Sequence, residues 1–132
     1  MIFLSVSGSI TRAQNDSLHT NSDELVVLWT SDDPYLAERM VLMYTHAALK
    51  QNWFNDVTLI IWGPSAKMVS ENIKIQEKLK FMLADGVKIK ACIVCARAYL
   101  VEDELKELGF EVRGMGKALT DYLKSDAEVL TF

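Results

Sequence analysis

An α/β fold with a mostly parallel, five-stranded sheet covered by helices is what this chain predicts, on three observations. From Leu25 onward, five short β-rich runs alternate with longer helical patterns, the order that signals βαβ units. Two of the runs, Leu25-Val26-Val27-Leu28-Trp29 and Val57-Thr58-Leu59-Ile60-Ile61-Trp62, are almost unbroken apolar segments, as strands buried on both faces require. The 132 residues are 50% apolar and 24% charged, ordinary globular usage with enough length for one core.

Taken in order, residues 1–23 read as a polar extension: after Met1-Ile2-Phe3-Leu4 comes a run of Ser, Thr, Asn, Asp and Gln without periodicity. The domain is then residues 24–132. After the first strand, Asp33 is placed to cap a helix and Pro34 suits its first position, where a missing N–H costs nothing. That helix is expected to reach about Lys50, with Leu36, Met40, Met43 and Ala47 as its inward stripe. Gly63-Pro64 breaks the chain after the second strand. Ile75, Leu79 and Met82 mark the next helix, which stops before Asp85-Gly86, a C-terminal glycine signal.

The third strand is expected over Val87 to Val94, where Lys88 and Lys90 alternate with Val87, Ile89 and Ala91. A third helix carries Leu105 and Leu108 and ends at Gly109. Glu111-Val112-Arg113 forms the fourth strand, a helix from Lys117 to Ser125 follows, and Glu128 to Phe132 closes the sheet. The first two strands belong mid-sheet. The other three are shorter or more polar and belong nearer an edge.

Charge and composition exclude several function classes. Fourteen Lys and Arg stand against 18 Asp and Glu, for a net charge of −4, and no basic cluster offers the phosphate neutralisation that nucleic-acid binding needs. Apolar stretches such as Leu25 to Trp29 are too short to span a bilayer, and the start lacks the charge of a signal peptide. The expectation is a cytoplasmic protein without membrane contact. Two cysteines three positions apart form no disulfide framework, and in a reducing compartment such a pair is more often catalytic or metal-binding. Zinc needs about four ligands, and only His19 and His46 accompany the two thiols; no metal and no cofactor is expected.

Cys92-Ile93-Val94-Cys95 falls where the third strand gives way to a helical segment. It therefore lies at the carboxyl end of a parallel strand, where open α/β sheets place their ligands. A thiol reacts as thiolate, and a helix N-terminus or a nearby cation lowers its pKa; Lys67, Lys90 and Arg97 are the candidate cations. Beside this stands a plainer reading, two small buried residues, since free Cys is among the most buried types. A disulfide needs Cα atoms within about 7 Å. Three extended residues span about 10 Å, so a bend between the two cysteines decides whether they can pair. Ile93-Val94 lacks the Gly-Pro of thioredoxin-like sites.

Trp62, Gly63 and Pro64 end the second strand at the same edge and, with Tyr99, are candidate pocket walls. Gly114-Met115-Gly116-Lys117 opens a helix after the fourth strand, where Gly114 and Gly116 would let backbone approach a phosphate. The run lacks both the dinucleotide and the Walker spacing, and turn geometry alone explains two such glycines. Asp32-Asp33 reads as capping, and His46 as a packed or surface residue.

Several segments in this order resemble the DsrE/DsrF-like family: Thr30-Ser31-Asp32 after the opening strand, Ile60-Ile61-Trp62-Gly63-Pro64, and Gly86-Val87-Lys88-Ile89-Lys90-Ala91-Cys92. Glu104-Leu105-Lys106-Glu107-Leu108-Gly109-Phe110-Glu111-Val112 and the closing Val129-Leu130-Thr131-Phe132 continue the likeness. That family includes the sulfur-relay proteins of tRNA thiolation and of dissimilatory sulfur metabolism. The resemblance implies a three-layer α/β/α domain, flavodoxin-like in general appearance, assembled as a homo-oligomeric trimer or hexamer. It also implies that a cysteine after the third strand carries sulfur as a persulfide, the position Cys92 matches, with Cys95 a second thiol.

The expectation is a small sulfur carrier that takes sulfane sulfur from a donor protein on Cys92 and passes it to an acceptor. That role needs an accessible, ionised sulfur and no general base, so the Cys92 sulfur is expected to protrude from the sheet edge. Two alternatives stay open: a Cys92/Cys95 dithiol redox protein, and a non-catalytic oligomeric or small-ligand-binding module with buried cysteines.

Overall fold

The computed structural model describes residues 22–132; apart from Ser22 and Asp23, the polar extension read over residues 1–23 lies outside the described residues. Five strands, β1 (Glu24–Trp29), β2 (Asp56–Ile61), β3 (Lys88–Cys92), β4 (Glu111–Arg113) and β5 (Glu128–Thr131), form one sheet in the order β4-β3-β2-β1-β5. Every pairing is parallel. The two apolar strands β1 and β2 are interior and the short strands β4 and β5 are the edges, while β3 lies one place in from its edge.

Order and handedness fix where the helices go. The chain steps from β1 to β4 in one direction, and right-handed crossovers put every helix of those steps on one face. The return from β4 to β5 reverses direction and lays its helix on the other. Strand alternation shows both results: Val27, Leu59, Ile61, Ile89 and Ala91 share a core with the earlier helices, whereas Val26, Ile60 and Cys92 face the last helix.

The first helical stretch runs as a turn, α1 (Pro34–Leu36), a π-helical turn (Ala37–Val41) and α2 (Leu42–Lys50). Asp33 caps it as expected, its carboxylate accepting the N–H groups of Tyr35 at 2.8 Å and Leu36 at 3.2 Å. The inward stripe is not the one expected. Met40 and Met43 are exposed, and Ala37, Val41, Leu42, Thr45 and Ala48 are buried. Small Ala and Thr side chains let the helix approach the sheet closely. The wider π turn presents the neighbours Val41 and Leu42 to the core together. The Thr45 hydroxyl donates to the Val41 carbonyl at 2.6 Å, which satisfies a polar group inside that core.

Gly63-Pro64 ends a strand and also starts a helix, α3 (Pro64–Glu71), with Pro at its first position as in α1. α4 (Ile73–Asp85) follows directly, capped by the Asn72 side chain and closed by Gly86 at φ 108°. The third strand stops at Cys92, two residues sooner than expected, because Ile93 and Val94 already belong to α5 (Ile93–Ala98). The helix expected before Gly109 is two, α5 and α6 (Glu102–Glu107), divided at Leu100, whose φ is 60°. α7 (Gly116–Lys124) is the helix of the second face. No helix among the described residues is long and apolar enough to cross a membrane.

Candidate functional site at the carboxyl edge of the third strand

The chain leaves β3 toward one face and β4 toward the other, so the carboxyl ends of these neighbours flank a topological switch point, where open α/β sheets hold ligands. Flavodoxin, with the strand order 2-1-3-4-5, has that point between β1 and β3; here it falls between β3 and β4. Cys92 and Arg113 are partners in register across it.

Cys92 occupies the N-cap position of α5 with extended backbone, φ −70° and ψ 117°. The chain then coils, which puts Cys95 on the first helical turn, where it packs against the cluster that holds Cys92. Helix geometry separates Cα atoms three residues apart by about 5 Å, inside the span a disulfide tolerates. The bend the sequence left open is therefore present.

The Cys92 sulfur, expected to protrude, is buried. Cys92 is 3% exposed and packs with Val26, Ile60 and Met115 on the α7 face. It does not protrude, because strand alternation points it inward, two residues beyond Lys90, beneath the start of α7. Cys95 is partly exposed and borders both cores. Its sulfur accepts the Gly63 N–H at 3.2 Å, and Gly63 stands at the N-cap of α3 with φ 68°, a backbone conformation that favours glycine.

Burial pushes the Cys95 thiol above its ordinary range. The neighbouring Cys92 pushes the same way, and the Gly63 N–H opposes both. The cations considered from sequence are placed elsewhere. Lys90 donates to the Tyr122 hydroxyl at 3.0 Å and lies 3.8 Å from Glu111, and Arg97 pairs with Glu102 at 2.9 Å. Lys67 lines a crevice of about 340 Å³ with Asp32, Pro64 and Tyr99.

The remaining candidates divide. Gly63 joins the site through its N–H, and Pro64 and Tyr99 line the neighbouring crevice. Trp62 is half-buried in the second core, its own N–H held by the Trp29 carbonyl at 3.0 Å and the Ser65 hydroxyl at 3.1 Å. Gly114 and Gly116 are exposed, and a Cβ at either would meet nothing within 4 Å. Neither has a left-handed φ, so neither turn strain nor crowding accounts for them. Among the described residues, no group of three or more His, Cys, Asp and Glu is arranged to hold a metal ion.

Two residues assigned no role of their own from sequence support the pair. Ser65, buried, donates to the Trp29 carbonyl at 2.6 Å and fastens the Gly63 turn; the signal was its place directly after the Pro that starts the helix. Met115 is 1% exposed and covers Cys92; an apolar residue between two glycines was the signal. His46 is bonded to Asp85 at 2.6 Å and Lys78 at 2.8 Å within the α2–α4 contact.

A small all-parallel α/β domain with a two-thiol turn at a sheet edge is the class these features define. The model of the DsrE/DsrF-like family matches residues 25–132, and the chain belongs to that family. Among solved structures it is similar to a conserved protein of unknown function, BT1422, from Bacteroides thetaiotaomicron. The identity is 34%, over 83% of this chain and 95% of that one, with a TM-score of 0.81. It is also similar in fold to the ychN protein of E. coli, with 21% identity, 83% and 99% coverage and a TM-score of 0.62. A search of curated proteins returned no match.

Proposed function

We propose that this chain is a sulfur carrier that holds sulfane sulfur as a persulfide at the Cys92–Cys95 turn, with Cys95 the thiol that meets the donor. One observation carries the reading: in a DsrE/DsrF-like chain, the partly exposed Cys95 sulfur sits at the carboxyl edge of β3 on the Gly63 N–H. A persulfide is a stronger acid than its parent thiol, and an N–H donor stabilises the anion it forms. Cys92, the position that matches the family's cysteine, is too buried to meet a donor in this geometry, so the first acceptance passes to Cys95. Val94 and Leu100, 70% and 86% exposed beside the turn, offer apolar surface to donor and acceptor proteins.

Intact mass after anaerobic incubation with glutathione persulfide tests the assignment in the Cys92→Ser variant, where a loaded Cys95 has no neighbouring thiol. The reading expects a gain of one sulfur atom, absent in the double variant that adds Cys95→Ser. No gain in Cys92→Ser contradicts it. The same reading includes a homo-oligomer, trimer or hexamer as the family resemblance implies, in the cytoplasm. Light scattering on the purified chain checks the subunit number, and a monomer at micromolar concentration contradicts that part.

A further inference from the structure

The two thiols are unequal partners, and their inequality points to a second step. Cys95 is reachable and Cys92 is sealed by Val26, Ile60 and Met115. A persulfide formed on Cys92 has no exit to an acceptor, whereas Cys92, at the N-cap of α5, is packed with Cys95 one helical turn away. The Cys95 sulfur is the atom that becomes the inner sulfur of a Cys95 persulfide.

We propose that Cys92 is a resolving thiol, which gives the protein a reductive activity: release of the carried sulfur as hydrosulfide. This rests on the carrier reading above. The Cys92 sulfur attacks the inner sulfur of the Cys95 persulfide anion; a Cys92–Cys95 sulfur–sulfur bond forms and the bond to the outer sulfur breaks. The outer sulfur leaves with the electron pair of that bond and takes the Cys92 proton, so thiol plus persulfide anion becomes disulfide plus hydrosulfide. The sulfane sulfur is reduced by two electrons and the two cysteine sulfurs supply them, so no outside oxidant enters. A second turnover requires a dithiol reductant to reopen the disulfide.

The local backbone suits that product. The N-cap and first-turn positions of α5 hold the two Cα atoms at a separation of about 5 Å, which a disulfide accepts. Cys95 lies on the open side of the pair, and hydrosulfide leaves from there while Cys92 stays covered.

The test adds glutathione persulfide without oxygen to the full reduced chain, assays hydrosulfide against a protein-free control, and measures intact mass. The wild type is expected to release one hydrosulfide per chain and to finish two hydrogens lighter. Cys92→Ser is expected to stop one sulfur heavier, with hydrosulfide at the control level. Should the wild type remain one sulfur heavier and release none, the resolving step is overturned and the carrier reading stands. Equal hydrosulfide from wild type and Cys92→Ser also overturns it. If neither protein gains sulfur nor releases hydrosulfide, the carrier reading fails and this inference fails with it.

Discussion

The two faces of the sheet are built to different depths. One face packs under the helices α1 to α6, with Leu59, Ile61, Leu79 and Leu105 fully buried in a core that runs the length of the strands. The other carries α7, none of whose residues is buried, and its sealed side chains are Val26, Ile60, Cys92 and Met115. A thick layer holds the strands in register. The thin one covers a single thiol at the strand end and leaves its partner open, and the asymmetry between the two sulfurs follows from the asymmetry between the faces.

The largest contrast is in stability. Leu79→Ala on the thick face removes a fully buried side chain from a crowded core and is expected to cost about 2–5 kcal/mol. Met115→Ala on the thin face is expected near the lower end of about 2–5 kcal/mol, because α7 can settle toward the sheet and shrink the cavity. Denaturant unfolding of both variants checks the order; a larger loss for Met115→Ala breaks the comparison.

A smaller and more local effect falls on the open thiol. Gly63→Ala forces a side chain into the left-handed region, a strain of about 1–3 kcal/mol, and disturbs the N–H that lowers the Cys95 pKa, so Cys95 alkylation is expected to need a higher pH. Cys92→Ala removes a partner that raises the Cys95 pKa, so its alkylation profile moves to lower pH. Rates of iodoacetamide labelling across a pH series read both shifts. Movement of the two variants in the same direction contradicts the described balance.

The smallest effect lies away from the pair. The Arg97 guanidinium and then the Lys106 ammonium hold the Glu102 carboxyl down at about 2, from an ordinary 4.5. A depressed carboxyl contributes stability that is complete above its unfolded pKa and fades as pH falls from 4.5 toward 2. Glu102→Gln therefore melts below wild type at neutral pH, and the gap closes across that acid window. Thermal melts at neutral and acid pH measure it, and a gap that widens toward acid contradicts the pairing.

Local signals carried the parts of this fold that depend on neighbours in sequence. Asp33-Pro34 announces its helix and Asp85-Gly86 closes another, because capping and left-handed closure are properties of a few adjacent residues. Gly63-Pro64 was read for the break and not for the start of α3, although Pro34 had shown the same device. The Met40 and Met43 stripe was misplaced by one position, since residues 36–48 carry two overlapping apolar rows and tertiary approach to the sheet selects the one with smaller side chains. Burial of Cys92 was not legible at all. It depends on which face its strand position meets and on α7 crossing back over that face, which only the strand order decides.

Alkylation of the folded, reduced chain, mapped to peptides, tests the inequality of the two sulfurs most directly. The account predicts label on Cys95 and none on Cys92 until denaturant opens the thin face. Label on Cys92 ahead of Cys95, or two silent thiols, contradicts it.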